Sequence, residues 1–393
     1  MIQASIDELL PGMVVARSVL FGTGGGVQLA AGFVLDESII SRCRKMGMRS
    51  LWIHLEGEDV LPACNVNDQL ALQAQQTWKE NMDMLRKIGD VQESTLENLS
   101  KFTADPGRFK DIVATDRIKG LVDQIIRAIL EQEPLVINLA SMRTQDGYLY
   151  QHALDVTITS IMLAQKLKFI PADIQELALG CFLMDLGMII VPQTLYEKKD
   201  AWSAQEMHLL REHPAVGFAI LRANDGIPIN AAHVAYQHHE WLDGSGYPRK
   251  LKGEDVFLQK TLNGVNGVHR YAQVAAVADM YISSISPRPG AEPLSPLQAM
   301  QLLISQAGGR LNSHVVNALL SMVPVFPVGT RILVTKSPKS NLLGHQGVVS
   351  RANPKEKEKP QVILLFDKFK RRVPLVLVDL AEEQGYEIQF AAL

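Results

Sequence analysis

The stretch that decides how this chain reads is His238-His239-Glu240-Trp241-Leu242-Asp243-Gly244-Ser245-Gly246-Tyr247-Pro248. Two adjacent histidines and two acids stand before a Gly-Ser-Gly-Tyr-Pro turn. A helix running to His239 is broken by the glycine-rich run and ended by Pro248, which lacks the N–H a helix needs. Neutral imidazoles beside carboxylates are the donors of a divalent metal site. Alone, the same residues also fit a polar helix end followed by a surface loop. The rest of the chain decides between the two.

The 393 residues leave room for about two or three domains. Hydrophobic residues at 47% and charged ones at 21% are ordinary for a folded protein. A net charge of -3 offers no broad basic field to nucleic acid or anionic membrane. Cys43, Cys64 and Cys181 form no CxxC pair, which fits a reducing compartment without structural disulfides. The opening MIQASIDELLPGM carries acids and no long apolar run, unlike a signal peptide. No apolar stretch approaches the ~18–20 residues of a membrane helix. The expectation is a cytoplasmic protein that binds neither DNA nor membrane.

Residues 1–60 read as a β-rich module. Met13-Val14-Val15-Ala16 and Gly32-Phe33-Val34-Leu35 are strand-like runs around Gly22-Thr23-Gly24-Gly25-Gly26. That glycine cluster reads as a hairpin loop, since it lacks GxGxxG spacing and the Lys-Ser/Thr of a phosphate loop. A helix over Glu37 to Met46 and a strand over Ser50 to His54 follow. Residues 61–110 form a linker helix with a cap at Asn67-Asp68. Its Trp78, Met82, Leu85 and Ile88 share one stripe, which packs on a neighbouring domain or on a second copy in a homodimer. Residues 111–325 show helical spacing over Ile118 to Leu130, His152 to Leu167, Ile174 to Met184, Ala204 to Ala223 and Leu297 to Gln306. Residues 326–393 return to β-rich runs at Thr330 to Thr335, Gly347 to Arg351, Gln361 to Phe366 and Arg372 to Val378. The fold class is multidomain: a central all-α bundle between a small N-terminal β-rich module and a small C-terminal antiparallel β-barrel or sheet.

The helical domain also carries His152, Asp185, His213 and Asp279. With His238 and His239 they make four histidines and two aspartates, each unremarkable singly. Their order and context make them a set. Tyr150-Gln151-His152, Met184-Asp185, Val191-Pro192, Glu212-His213-Pro214 with Gly217, then His238-His239-Glu240, Asp243 to Pro248, and Val277-Ala278-Asp279 follow one another. In that order they resemble the HD-GYP domain, a bacterial branch of the HD phosphohydrolase superfamily. The match runs from about Tyr148 to Val325, and the flanking modules resemble extensions found on some members.

The resemblance implies a helical HD-type bundle that binds two or three divalent metals, iron or manganese, and hydrolyses cyclic di-GMP to the linear dinucleotide or GMP. It implies one metal on His152, Asp185, Asp279 and the His of the family's His-Asp pair. A second metal falls to Asp185, His213, His238 and His239. Met184 stands where the family has that His, and Met188 where it has a phosphate-contacting Lys. Tyr148 replaces the Glu used for a third metal, and the run after Asp279 reads Ile282-Ser283-Ser284-Ile285-Ser286. Arg288 keeps a position linked to nucleotide phosphate, while Ala291 replaces the next basic residue. A thioether suits manganese or iron poorly. The expectation is a cyclic di-GMP signalling protein with a degenerate site: one metal held tightly, a second weak or absent, and a role as sensor or protein-interaction module. The alternative is an active or weak phosphodiesterase. Gly244, Gly246, Tyr247 and Pro248 are expected to meet the nucleotide or a partner such as a diguanylate cyclase domain.

Overall fold

In the computed structural model the described residues run from 2 to 391, leaving out 22–26, 55–65, 90–105, 132–147, most of 193–201, 258–266, 287–292 and a few scattered positions. Cys64, the Gly22 to Gly26 cluster, Arg288 and Ala291 lie outside the described residues. Those within Met1–Asp68 and Met322–Leu393 make up one compact unit, and those within Gln69–Glu133 and Tyr148–Ser321 another.

In the first unit, β1 (Ile2–Ser5) pairs antiparallel with β4 (Ser50–Ile53). The hairpin strands β2 (Val19–Phe21) and β3 (Val27–Leu29) lie closer to the glycine cluster than the runs singled out in the sequence. Those runs meet through one isolated bridge, Val14 to Val34. Helix α1 (Glu37–Lys45) buries Ile40 and Cys43 against Leu35, Leu51 and Ile53. The C-terminal part is a five-stranded antiparallel sheet of β5 (Arg331–Lys336), β6 (Gln346–Arg351), β7 (Gln361–Phe366), β8 (Arg372–Asp379) and β9 (Glu387–Phe390). Its spatial order is β8-β7-β6-β5-β9. Ile332, Val334, Val349, Val362, Leu364 and Val378 fill one face. The alternation of apolar residues at every second position sets that face, because strand side chains point to opposite sides in turn.

The second unit is helical. Its described helices are α2 (Asp68–Gly89), α3 (Thr115–Leu130), α4 (Tyr148–Lys166), α5 (Pro171–Leu183), α6 (Ala204–Arg211), α7 (His213–Arg222), α8 (Ile229–Gln237), α9 (Arg270–Ile285), α10 (Pro296–Gln306) and α11 (Ser313–Met322). A 3-10 segment, Met184–Ile190, continues from α5. The stripe of α2 is satisfied within the chain: Trp78, Met82 and Leu85 are buried, and Asn81 Oδ1 accepts the Ala114 amide at 3.1 Å. Ile158, Ile161, Met162 and Leu163 of α4 are core. The single helix expected over Ala204 to Ala223 is two helices, α6 and α7, parted at Glu212. Pro214 belongs in a first helical turn, where a missing N–H costs nothing, so the chain restarts there. Likewise α8 stops at Gln237 rather than His239, with His238 as its C-cap. Among the described residues no helix is long and apolar enough to cross a membrane.

Two glycines set the spacing on which the site depends. A Cβ on Gly187 would lie 1.9 Å from the His213 carbonyl oxygen and 2.5 Å from the Gly217 nitrogen. A Cβ on Gly180 would lie 2.7 Å from Val234 Cγ2 and 2.8 Å from the Ala231 oxygen. Glycine lets backbone meet backbone here, so the 3-10 segment lies against α7 and α5 lies against α8.

Candidate metal centre

These contacts gather the six residues singled out in the sequence. His152 comes from α4, Asp185 from the 3-10 segment, His213 from the start of α7, His238 and His239 from the end of α8, and Asp279 from α9. All are buried except His239, whose side chain is 26% exposed and marks the open side. Asp185 is central. Its Oδ1 lies 3.5 Å from His213 Nε2 and 3.7 Å from His238 Nε2, and its Oδ2 lies 3.8 Å from His152 Nε2. Asp279 Oδ1 lies 2.9 Å from His152 Nε2, and its Oδ2 lies 3.8 Å from His239 Nδ1. One ligand atom from each of His213, His238 and His239 falls within 4.8 Å of the others.

The hydrogen bonds of the rings decide what this cluster can hold. His213 Nδ1 donates to the Leu210 carbonyl at 2.7 Å. His238 Nδ1 donates to the Ala235 carbonyl at 3.0 Å, with the Val234 carbonyl at 3.2 Å. A carbonyl only accepts, so both protons sit on Nδ1 and both Nε2 atoms carry lone pairs. Those two lone-pair atoms face each other at 3.2 Å. Neither can donate to the other, and Asp185 adds only acceptors. Two nitrogens bound at about 2.1 Å to one cation stand roughly 3.0–3.4 Å apart, so the pair fits a metal. The nitrogen and oxygen donors suit a first-row divalent ion such as iron, manganese or zinc.

Burial holds the His213 imidazole down at about 4, and burial followed by the charge of His238 holds His239 well below its ordinary value. These rings are neutral ligands at neutral pH. His152 differs. Burial disfavours its charge, but the hydrogen bond and charge of Asp279 more than offset this and raise it. Asp279 is likewise pushed up by burial and pulled further down by the hydrogen bond to His152. Met184 and Met188, from the same 3-10 segment as Asp185, are buried and bring no charge.

The glycine-rich loop is fastened to this centre. The Glu240 carboxylate, 2% exposed, accepts the Arg249 amide at 2.6 Å and the Leu251 amide at 2.8 Å. The Tyr247 amide donates to the His239 carbonyl at 3.0 Å. Gly244 has φ 79, and a Cβ on Gly246 would lie 2.4 Å from the His239 oxygen. The Tyr247 ring stacks on His239 with centroids 4.7 Å apart, and Pro248 follows it. Tyr247 is thus a wall of the centre, while Asp243 and Ser245 are the loop's exposed residues.

Four contributors have roles that the sequence did not assign. Ser283 Oγ donates to Asp279 Oδ1 at 3.0 Å from one helical turn away. Asp155, buried on α4, adds its charge to His152. Glu240 was read as a ligand-like acid and is a loop clamp. Arg211 lies over the Tyr247 ring at 5.5 Å. The i, i+4 spacing of Asp279 and Ser283 and the i, i+3 spacing of His152 and Asp155 were legible; the roles of Glu240 and Arg211 depend on the folded loop. The histidines that match no ligand position serve elsewhere: His269 Nδ1 accepts the Tyr271 amide at 3.2 Å and caps α9. Cys181 is a buried thiol pushed up to about 12 by burial, as befits a small hydrophobe rather than a nucleophile.

Residues 129–315 match the HD domain family. A cyclic di-GMP phosphodiesterase of Pseudomonas aeruginosa is 25% identical over 357 residues, covering 89% of this chain and 81% of that protein. A cyclic di-GMP phosphodiesterase of Thermotoga maritima is 28% identical over 188 residues, 48% of each chain. A cyclic di-GMP phosphodiesterase response regulator of Xanthomonas campestris is 29% identical over 160 residues, 40% of this chain and 39% of that one. The chain therefore spans most of the first relative and half or less of the other two. The similarity to the first reaches well beyond the HD domain, whereas the other two match over lengths close to that of the domain itself. The HD domain over 129–315, the Gly244 to Pro248 loop closed on its histidines and these relatives together support an HD-GYP domain protein.

Proposed function

We propose that this protein is a cyclic di-GMP signalling module that holds one divalent metal on Asp185, His213, His238 and His239, recognises the nucleotide at that centre, and turns it over slowly or not at all. The observation that carries this reading is the pair of proton-free Nε2 atoms of His213 and His238 facing each other at 3.2 Å beside Asp185. The opposite half, His152 with Asp279, is closed by its own hydrogen bond and has Met184 where the resemblance expects a ligand. When bound, a divalent cation lowers the pKa of water and polarises a phosphoryl oxygen. Asp185 orients the donors, the carbonyls of Leu210 and Ala235 fix the ring tautomers, and Tyr247 shields the stacked face of His239 from water. The nucleotide is inferred from the curated relatives, whose names give cyclic di-GMP as their substrate. The exposed Asp243 and Ser245 are where a partner protein would reach the loop.

Metal analysis of protein purified without chelator, paired with calorimetric titration of cyclic di-GMP, tests this. One equivalent of metal and measurable nucleotide binding are expected. Two tightly held equivalents of iron or manganese would refute the single-metal reading. The second reading is an active phosphodiesterase, favoured by the relatives' names and by Asp279 and His152 remaining within reach of Asp185 and His239. Hydrolysis of cyclic di-GMP with Mn(II) or Fe(II), abolished in His239→Ala, would establish it over the first.

A further inference from the structure

Arg211 ends α6, two residues before His213. Its guanidinium carbon lies 5.5 Å from the centroid of the Tyr247 ring, which itself stacks on His239. The Arg211 side chain is exposed and, among the described residues, makes no ion pair. Two other arginines of this unit are engaged in ion pairs: Arg270 pairs with Asp173 at 2.6 Å, and Arg310 lies 3.7 Å from Asp243. The charges acting most strongly on His152, His213, His239 and Asp279 are those of neighbouring histidines and aspartates. Tyr247 is where the two sides meet, since its hydroxyl feels Asp279 and Asp185 from within and Arg211 from without. The two carboxylates of the centre repel a phosphodiester, so a second positive charge at its mouth, beside the proposed metal, favours such a ligand. Arg211 is placed to supply that charge. The aromatic ring holds the guanidinium by its face, leaving the N–H edges for paired phosphate oxygens.

We propose that Arg211, seated over Tyr247, is the phosphate-binding residue at the mouth of this centre and gives it its preference for phosphodiester ligands. The role rests on the nucleotide reading above. It differs from the expectation that Arg288 meets the phosphate, because Arg211 ends the helix just before the one that delivers His213.

The test is calorimetric binding of cyclic di-GMP to the full chain, comparing the natural protein with Arg211→Gln and Arg211→Lys. Metal content and Tm are measured on the same samples. Arg211→Gln is expected to weaken binding about 10-fold or more, as befits one charge-assisted hydrogen-bonding group. Arg211→Lys should recover part of the loss. The salt dependence of binding should be shallower in Arg211→Gln, with metal content and Tm unchanged. Binding by Arg211→Gln within twofold of the natural protein overturns the role while leaving the nucleotide reading intact. A loss of metal alongside the loss of binding also overturns it, because Arg211 would then act through the centre. No binding by the natural protein overturns the nucleotide reading and this role together.

Discussion

The two halves of the centre share Asp185 yet are built on opposite electrostatic plans. On one side, His213 and His238 spend their Nδ1 protons on backbone carbonyls and turn bare Nε2 atoms inward. On the other, His152 and Asp279 satisfy each other at 2.9 Å, with Ser283 adding a donor to the same carboxylate oxygen. In the first half two acceptors face each other; in the second a donor meets an acceptor. Ligand residues alone therefore do not define a metal site. The partners of their far atoms decide whether the near atoms wait for a metal or neutralise one another.

The largest test of this contrast is ligand removal on each side. His238→Ala is expected to weaken Mn(II) binding by at least about 100-fold, since losing a direct ligand exceeds the ~10–100-fold cost of losing an outer contact. His152→Ala should change it by less than about 10-fold. Equal losses, measured by titration of metal-free protein, would erase the distinction between the halves.

Next comes the backbone contact that holds the halves together. Gly187→Ala places a methyl against the His213 carbonyl oxygen and the Gly217 nitrogen. It is expected to cost about 3 kcal/mol and to lower Tm by about 6–12 °C. Calorimetry checks this, and an unchanged Tm would mean that the 3-10 segment shifts without penalty.

The third test tries to convert one half into the other. Met184→His supplies the ligand that the resemblance expects, and it should raise bound metal from one equivalent toward two. Elemental analysis of the purified variant is the readout. A stoichiometry fixed at one would show that the His152–Asp279 pair, not the missing ligand, keeps the second metal out.

The smallest effect sharpens the comparison from outside the centre. His269 caps α9, the helix carrying Asp279, through an unprotonated Nδ1, and burial holds its pKa down at about 4 against an ordinary 6.5. A group lowered in the folded state contributes stability that is complete above about pH 6.5 and is lost as pH falls toward 4. A decline on the order of 2–4 °C in Tm across that window is expected. In His269→Asn, whose amide oxygen caps at any pH, this part of the decline should vanish.

Much of this was legible because metal-ligand chemistry is local in sequence: a histidine at a helix end, an aspartate after a short apolar run, and glycines before a proline all show in the chain itself. The helical character of 111–325 was legible through its period, and four of the five C-terminal strands through their β-branched runs. Strand β9 was not, because Glu387-Ile388-Gln389-Phe390 is too short to stand out and is specified by pairing with distant β5. The division at Glu212 was missed because the apolar spacing of α6 and α7 continues through it, and only Pro214 marks the restart. The contact of Arg211 with Tyr247 needs both the restart of α7 and the folded loop, and no spacing rule joins them. The His152–Asp279 closure was likewise invisible, since a list of ligand types carries no information on which of them hydrogen-bond each other.

Glu240 has a mechanical consequence. Its carboxylate grips Arg249 and Leu251 while its neighbour His239 receives the Tyr247 amide, so the imidazole and the loop are tied together at a buried acid. The exposed tip, Asp243 and Ser245, is thereby linked through backbone hydrogen bonds to that imidazole. On the proposed reading, a partner gripping the tip would change how firmly the cation is held, and by reciprocity the cation would set how readily the tip is gripped.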